Sequence, residues 1–330
     1  MNMVATIKDC IVGCLIALAA FAAFPATAQD SPWPSKPVKF IVPFPPGGSV
    51  DPLARLLAAR LTVALGQPFI VENRAGGSGS IGTAAAAKSA PDGYTWLFVF
   101  DTHAVNPYLI PNLPFDTVKD LAPVMLVGTA PMAIVTHPSR PYRTFDDLLR
   151  AAKAKPGTLS YGSIGSGSLG HLTMTLLQQA GGFKLIHIPY KGGGPMTTDA
   201  LGGQIDLGIA SVAVLSQHVR GGKLRAVAVT GDKRTHTMPD VPTLAEQGYP
   251  GISAHAWWGV FGPAGVPAPI LERFHQELAK ALNQPDLRNL LGEQLGMDLV
   301  IGSREGLQKF LAGEMERWSK VVRENNIGAD

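Results

Sequence analysis

A repeated order of strand, glycine-rich loop and helix constrains the fold of this chain more than any other feature. "VKFIVPF", Val38 to Phe44, is a short apolar, β-branched run, followed by "PPGGSVD" and then "PLARLLAARL", where Leu53, Leu56, Leu57 and Leu61 recur at helical spacing. Asp51 is placed to cap that helix and Pro52 to take its first position. "FIVE" from Phe69 leads through "NRAGGSGSIG" into an Ala-rich helix near Thr83 to Ser89, and "PDG" turns the chain into "YTWLFVF". The second half repeats the arrangement: "TLSYG" leads through "SIGSGSLG" into a helix carrying Leu172, Leu176 and Leu177, and "LIHIPY" leads through "KGGGPM" into another. Such alternation predicts an α/β fold of mainly parallel sheets with helices on both faces.

The N-terminus has a single Lys, a small and apolar run from Cys10 to Phe24, and then "PATAQD", with Ala26 and Ala28 where an export peptidase needs small residues. Residues 1–28 therefore read as a cleaved signal peptide, which makes Gln29 the first mature residue and the periplasm its destination. The apolar run is short for a membrane anchor, and "IVGC" comes too early for a lipoprotein cleavage box. Both cysteines, Cys10 and Cys14, fall inside this segment. A mature chain without thiols excludes disulfides, cysteine nucleophiles and thiolate metal sites.

About 300 residues held by hydrophobic cores alone suggest two domains. Residues 29–131 plus 255–330 are expected to form the first and 132–254 the second, joined twice, near "APVMLVGTAPMAIV" and near "SAHAWWGVFGP", with the ligand cleft between them. The helical tail from Pro267 should pack back on the first domain. A net charge of +3 with 16% charged residues gives no footprint for nucleic acid.

Two loops carry the spacing G-x-G-x-x-G: Gly77 to Gly82, and Gly165, Gly167 and Gly170. The first has a strand before it, a helix after it and Asp101 about twenty residues on, as a dinucleotide-binding unit requires. Against this, Asn73 to Gly76 separate the strand from the first glycine, the second loop has no acid after its next strand, and an exported protein meets no maintained nicotinamide pool. No cofactor is expected. What survives is the physics of glycine at a helix start, where free N–H groups and the positive end of the helix dipole bind an anion without Lys or Arg. Four such loops, two per domain, would line the cleft.

Signals for catalysis are poor. The chain has no G-x-S-x-G, S-x-x-K or Walker sequence, and its eight histidines show no metal-ligand spacing, so no metal is expected. An exported serine hydrolase using Ser163 or Ser168 with His171 is the alternative; hydroxyls at such a position serve equally as helix caps or ligand donors. Trp257 and Trp258 read as core or hinge packing.

"WPSKPVKFIVPFPPGGSVDPLARLL", "VENRAGGSGSIG", "APDGYTWLF", "LSYGSIGSGSLGHL", "HIPYKGGGPMTTDALGGQIDL", "GKLRAVAVTGDKRTHTMPDVPTLAEQGYPG" and "FGPAGVPAPI" together resemble the periplasmic solute receptors of the tripartite tricarboxylate transporter type, also called the Bug family. The resemblance covers the mature chain in order. It implies a two-domain periplasmic binding protein of the type II, Venus-flytrap form that binds a small carboxylate, acts with a membrane permease or a sensor protein, is a monomer and catalyses nothing. Residue by residue, it implies that Gly47, Gly48 and Ser49 offer donors to the ligand carboxylate beside Phe44, with Asp51 fixing their loop as a helix cap. Lys191, Gly192 and Gly193, next to Tyr190, would face them. Ser163, Gly165 and Ser168 would add hydrogen bonds, and Thr102 and His103 would lie where the cleft varies with ligand. Two departures stand out: Thr175 where the family commonly has an acid, and Ala210 near a position that often holds Asp. The second removes a partner for an amine or hydroxyl and favours an unsubstituted or aromatic carboxylate.

Overall fold

The computed structural model describes residues 33–328; the signal peptide read over residues 1–28, and Gln29, lie outside them. Trp33–Ser35 belong to no helix or strand, and every element lies from Lys36 onward. The first sheet is built on β1 (Val38–Val42), β2 (Phe69–Asn73) and β3 (Thr95–Val99), connected through α1 (Val50–Leu65) and α2 (Ser80–Ala87) and followed by α3 (Thr102–Leu109). β1 pairs in parallel with both β2 and β3. A second group follows: α4 (Phe145–Ala154), β5 (Ser160–Ser163), α5 (Leu169–Gly181), β6 (Ile186–Pro189), α6 (Gly193–Leu201), β7 (Leu207–Ser211), α7 (Val212–Arg220) and β8 (Arg225–Val229). Here β5 pairs in parallel with β6 and β7.

Two strands join the groups, β4 (Leu121–Thr136) and β9 (His255–Pro263), and both run antiparallel to their neighbours. β4 pairs with β9 from Leu121 to Pro131 and changes partners to β7 and β8 from Met132 onward. The strands β1 to β3 and β5 to β7 are therefore paired in parallel, and every pairing of the crossing strands β4 and β9 is antiparallel, because a connecting strand need not follow the right-handed βαβ path that makes neighbours parallel. β10 (Asp298–Leu299) adds to β4 at Gly128 and Thr129.

The tail supplies α8 (Ala268–Leu282), α9 (Pro285–Arg288) and α10 (Arg304–Glu324). Phe274 of α8 stacks on Trp96 at 4.0 Å and lies 5.9 Å from Phe40, while Phe310 of α10 meets Trp257 edge-on at 5.5 Å. Trp96, Trp257 and Phe274 are fully buried, so these aromatic contacts anchor the tail helices on the first sheet. One segment reaches further: in the π-helical turn Asn289–Gln294, the Gln294 carbonyl accepts from Ser216 and Arg220 of α7. Among the described residues no helix is long and apolar enough to cross a membrane.

Candidate anion-binding site

Of the four glycine loops, two close on each other. Residues 46–48, between β1 and α1, lie in van der Waals contact with residues 192–194, between β6 and α6. A methyl group added at Gly193 would sit 3.5 Å from Gly48 Cα, and one at Gly194 only 2.8 Å from the Pro46 carbonyl oxygen. Gly192, at φ +134°, takes a conformation that side chains disfavour, and its missing Cβ would lie 3.1 Å from Pro45.

Beside this contact is a cavity of about 20 Å³, room for one water. Its polar lining comes from Gly48, Ser49, Asp51, Gly193 and Ser211; Phe44, Phe100, Ile164, Ala210 and Val214 are among the residues of the apolar wall. The first turns of α1, α6 and α7 meet here, since Ser49, Gly192 and Ser211 are the residues at which those helices begin. Three helix N-termini present unsatisfied N–H donors and aligned dipoles, and no Lys or Arg lines the cavity. Ser211 is 1% exposed and its hydroxyl has no hydrogen-bond partner among the described residues, so it neither caps α7 nor reaches a neighbour. An orphan hydroxyl costs about 1–3 kcal/mol, which a ligand oxygen would recover.

Asp51 corrects the sequence reading. The cap position of the helix is Ser49, two residues earlier than expected, and Asp51 sits inside the first turn of α1. Its carboxylate accepts from Arg55 Nε at 3.0 Å and from Asn73 Nδ2 at 2.8 Å, and the same Asn73 group donates to the Phe44 carbonyl at 3.0 Å. Asp51 thus fixes the loop through Asn73 instead of by capping, and although it lines the cavity its charge is already neutralised.

The other glycine loops meet each other. Ser78 donates to the Ser166 carbonyl at 3.3 Å, Asn106 donates to the Ser78 carbonyl at 3.0 Å, and a Cβ at Gly167 would lie 1.8 Å from Leu109. Gly165, Tyr190 and Lys191 line a larger pocket of about 500 Å³ in this region, together with Phe44 and Ile164, which also border the small cavity. The Tyr190 hydroxyl donates to Asp199 at 2.6 Å.

Six residues expected at the cleft line neither the cavity nor this pocket: Gly47 and Gly192, which lie where the two loops meet, and Ser163, Ser168, Thr102 and His103. Ser163 is fully buried; its hydroxyl donates to the Gly165 carbonyl at 3.0 Å and lies 2.7 Å from His187 Nε2. Which of the two donates depends on the tautomer of the His187 ring, and the Ser163 oxygen also accepts from the Gly165 amide at 3.3 Å. Ser168 caps α5 by accepting from the His171 amide at 3.4 Å, while His171 Nδ1 accepts from the Gly167 amide at 3.0 Å. Neither serine is exposed, and the His171 Nδ1 is taken up by the Gly167 amide. Thr102 and His103 are buried in the first turn of α3, with the His103 ring 5.0 Å from Phe261. Burial pushes the His103 pKa down to about 3, and the neutral ring belongs to the core.

Asp101, just before α3, is 2% exposed, and desolvation pushes its pKa up to about 8, with repulsion from Glu314 adding to the rise. The Leu169 and Thr102 amides approach the carboxylate and hold it down in part, but neither closes a hydrogen bond of ordinary geometry. Among the described residues no cluster of His, Asp and Glu could hold a metal ion.

Phe100, Ile164, Val214 and Ser211 were missed as site residues. Ser211 alone carried a signal, a hydroxyl between a buried strand and a helix start in "GIASVAV"; Ala210 drew attention only as a departure from the family pattern.

A two-lobed α/β frame with helix N-termini converging on a cation-free cavity defines the class of periplasmic binding proteins. Residues 53–327 match the family described as tripartite tricarboxylate transporter family receptor, and the chain belongs to that family. It is 40% identical over 316 residues to protein BugT of Bordetella pertussis (strain Tohama I), covering 95% of this chain and 96% of BugT. The solved structure of periplasmic binding protein BugD superposes with a TM-score of 0.85 at 32% identity, covering 90% of this chain and all of that one. An R. palustris protein with adipate gives a TM-score of 0.85 at 33% identity, covering 90% of this chain and 99% of that one.

Proposed function

We propose that this protein is a periplasmic receptor that takes the carboxylate of a small solute between the loops at residues 46–49 and 192–194 and delivers it to a membrane permease. The observation that carries this reading is the unpartnered Ser211 hydroxyl at a cation-free cavity where three helices begin. An ionised carboxylate supplies acceptors to every one of those donors, directly or through the one water the cavity has room for. The R. palustris relative with adipate supports the carboxylate class.

Capture works by closure. Residues 29–131 with 255–330 and residues 132–254 act as two lobes hinged on β4 and β9, each carrying half of the donors. A ligand that completes the site shifts the population toward the closed form by its differential affinity. Ala210 stands on the cavity wall where an acid could face an amine, and Asp51, the acid that does line the cavity, is paired with Arg55 and Asn73, so the reading favours di- or tricarboxylates or aromatic carboxylates over amino acids.

The test is thermal shift of Gln29 to Asp330 against mono-, di- and tricarboxylates, aliphatic and aromatic, with amino acids as controls. A ligand at a hundredfold excess over its Kd stabilises by about 3 kcal/mol, a rise of several degrees. A shift confined to one carboxylate class supports the receptor and names its ligand; no shift with any carboxylate contradicts it.

A further inference from the structure

Trp258 lies in the middle of β9, opposite Gly128 of β4, and is 1% exposed. Its indole N–H donates to Ser49 Oγ at 3.0 Å, and its ring centre stands 5.3 Å from that of Phe100, which walls the cavity. Trp258 does not itself line the cavity and meets it only through these two residues.

An indole N–H has no acceptor capacity, so in this pair Ser49 must accept. The Ser49 proton then has to point elsewhere, and Ser49 makes no side-chain bond to its own helix start. Ser211, the other hydroxyl at the cavity, has no neighbour to fix its proton and can turn to donate or accept. The two serines thus differ in kind: one is oriented from behind, the other is free.

We propose that Trp258 is a positioning residue of the ligand site, turning the Ser49 proton away from the indole and occupying one of the Ser49 acceptor positions, so that the site takes an ionised carboxylate in preference to the neutral amide of the same molecule. This rests on the carboxylate reading above. A carboxylate brings only acceptors to the cavity, whereas an amide brings an NH₂ group that meets a Ser49 hydroxyl with one of its two acceptor positions already taken by the indole. The device sits on one of the two crossing strands, so the selectivity of the loop is set from the hinge side.

The experiment compares wild type, Trp258→Phe, Ser49→Ala, Ser49→Thr and the Trp258→Phe/Ser49→Ala double variant. Indole signals in a nitrogen-15 spectrum report the bond without ligand: Ser49→Ala should move the Trp258 N–H resonance and Ser49→Thr should largely restore it. Calorimetry then measures the best carboxylate of the thermal-shift panel and its amide. Trp258→Phe and Ser49→Ala should each cut the carboxylate-over-amide preference about 3- to 10-fold, and the double variant should lose no more than either single one. An unmoved indole signal in Ser49→Ala overturns the pairing. A Trp258→Phe protein that melts lower but keeps the wild-type preference overturns the positioning role and leaves Trp258 as packing. If wild type binds no carboxylate, the receptor reading fails and the role falls with it, whereas a moved indole signal still establishes the bond itself.

Discussion

The loops that most resemble a cofactor fingerprint and the loops proposed to take the ligand carboxylate make opposite use of glycine. At residues 76–79 and 165–167 backbone and hydroxyl groups are engaged by Ser166, Asn106 and His171, and Leu109 fills the space beside Gly167. At residues 46–49 and 192–194 the glycines let two backbones touch, and the helix starts around them face a cavity that retains an unpartnered hydroxyl. Glycine spacing alone does not distinguish the two. What separates them is whether the donors already have partners inside the protein.

The sharpest break between the regions comes from Gly194→Val. Its side chain would collide with the Pro46 carbonyl, so closure should fail and affinity fall by roughly 100-fold, the equivalent of about 3 kcal/mol of overpacking. Calorimetry checks this, and the melting temperature without ligand should change little.

The next effect is on stability and belongs to the other region. Burial raises the folded-state pKa of Asp101 from the ordinary 3.8 to about 8. Between these values the folded protein binds more protons at this site than the unfolded chain, so its stability falls as pH rises from about 4 to about 8. Asp101→Asn should flatten that part of the melting-temperature profile and melt above wild type at pH 8–9. Wild-type and variant curves that run parallel would remove Asp101 from the account.

Ser163→Ala should cost about 1–2 kcal/mol of stability by disconnecting His187 and Gly165, seen as a lower denaturation midpoint, with ligand affinity within about twofold of wild type. The smallest effect is expected for Ser211→Ala. Affinity should drop about 3- to 10-fold while the ligand-free protein gains slightly in stability, because a buried orphan hydroxyl is removed.

Much of the fold was legible because its signals are local. Strand, loop and helix follow one another within about 15 residues, and periodic leucines such as Leu53, Leu57 and Leu61 mark the buried face of α1 directly. The loops at Gly47 to Ser49 and Gly192 to Gly194 were legible for the same reason. The remainder depends on which distant groups meet. Asp51 looks like a cap until Asn73 is placed beside it. His103 looks like a cleft residue until Phe261 covers it. Ser163 looks like a donor until His187, 24 positions away, arrives on the neighbouring strand. The antiparallel crossing by β4 and β9 was hidden because a strand buried on both faces reads the same in either direction.

The most direct measurement is a backbone amide titration by nitrogen-15 NMR, using the carboxylate that gives the largest thermal shift. The largest changes should fall on the amides of Gly48, Ser49, Gly193, Gly194 and Val212, with those of Gly79, Gly165 and Gly167 changing less and only as the lobes close. If the largest changes fall instead on Gly77 to Gly79 and Gly165 to Gly167, the engaged loops are the binding loops and the distinction drawn here is wrong.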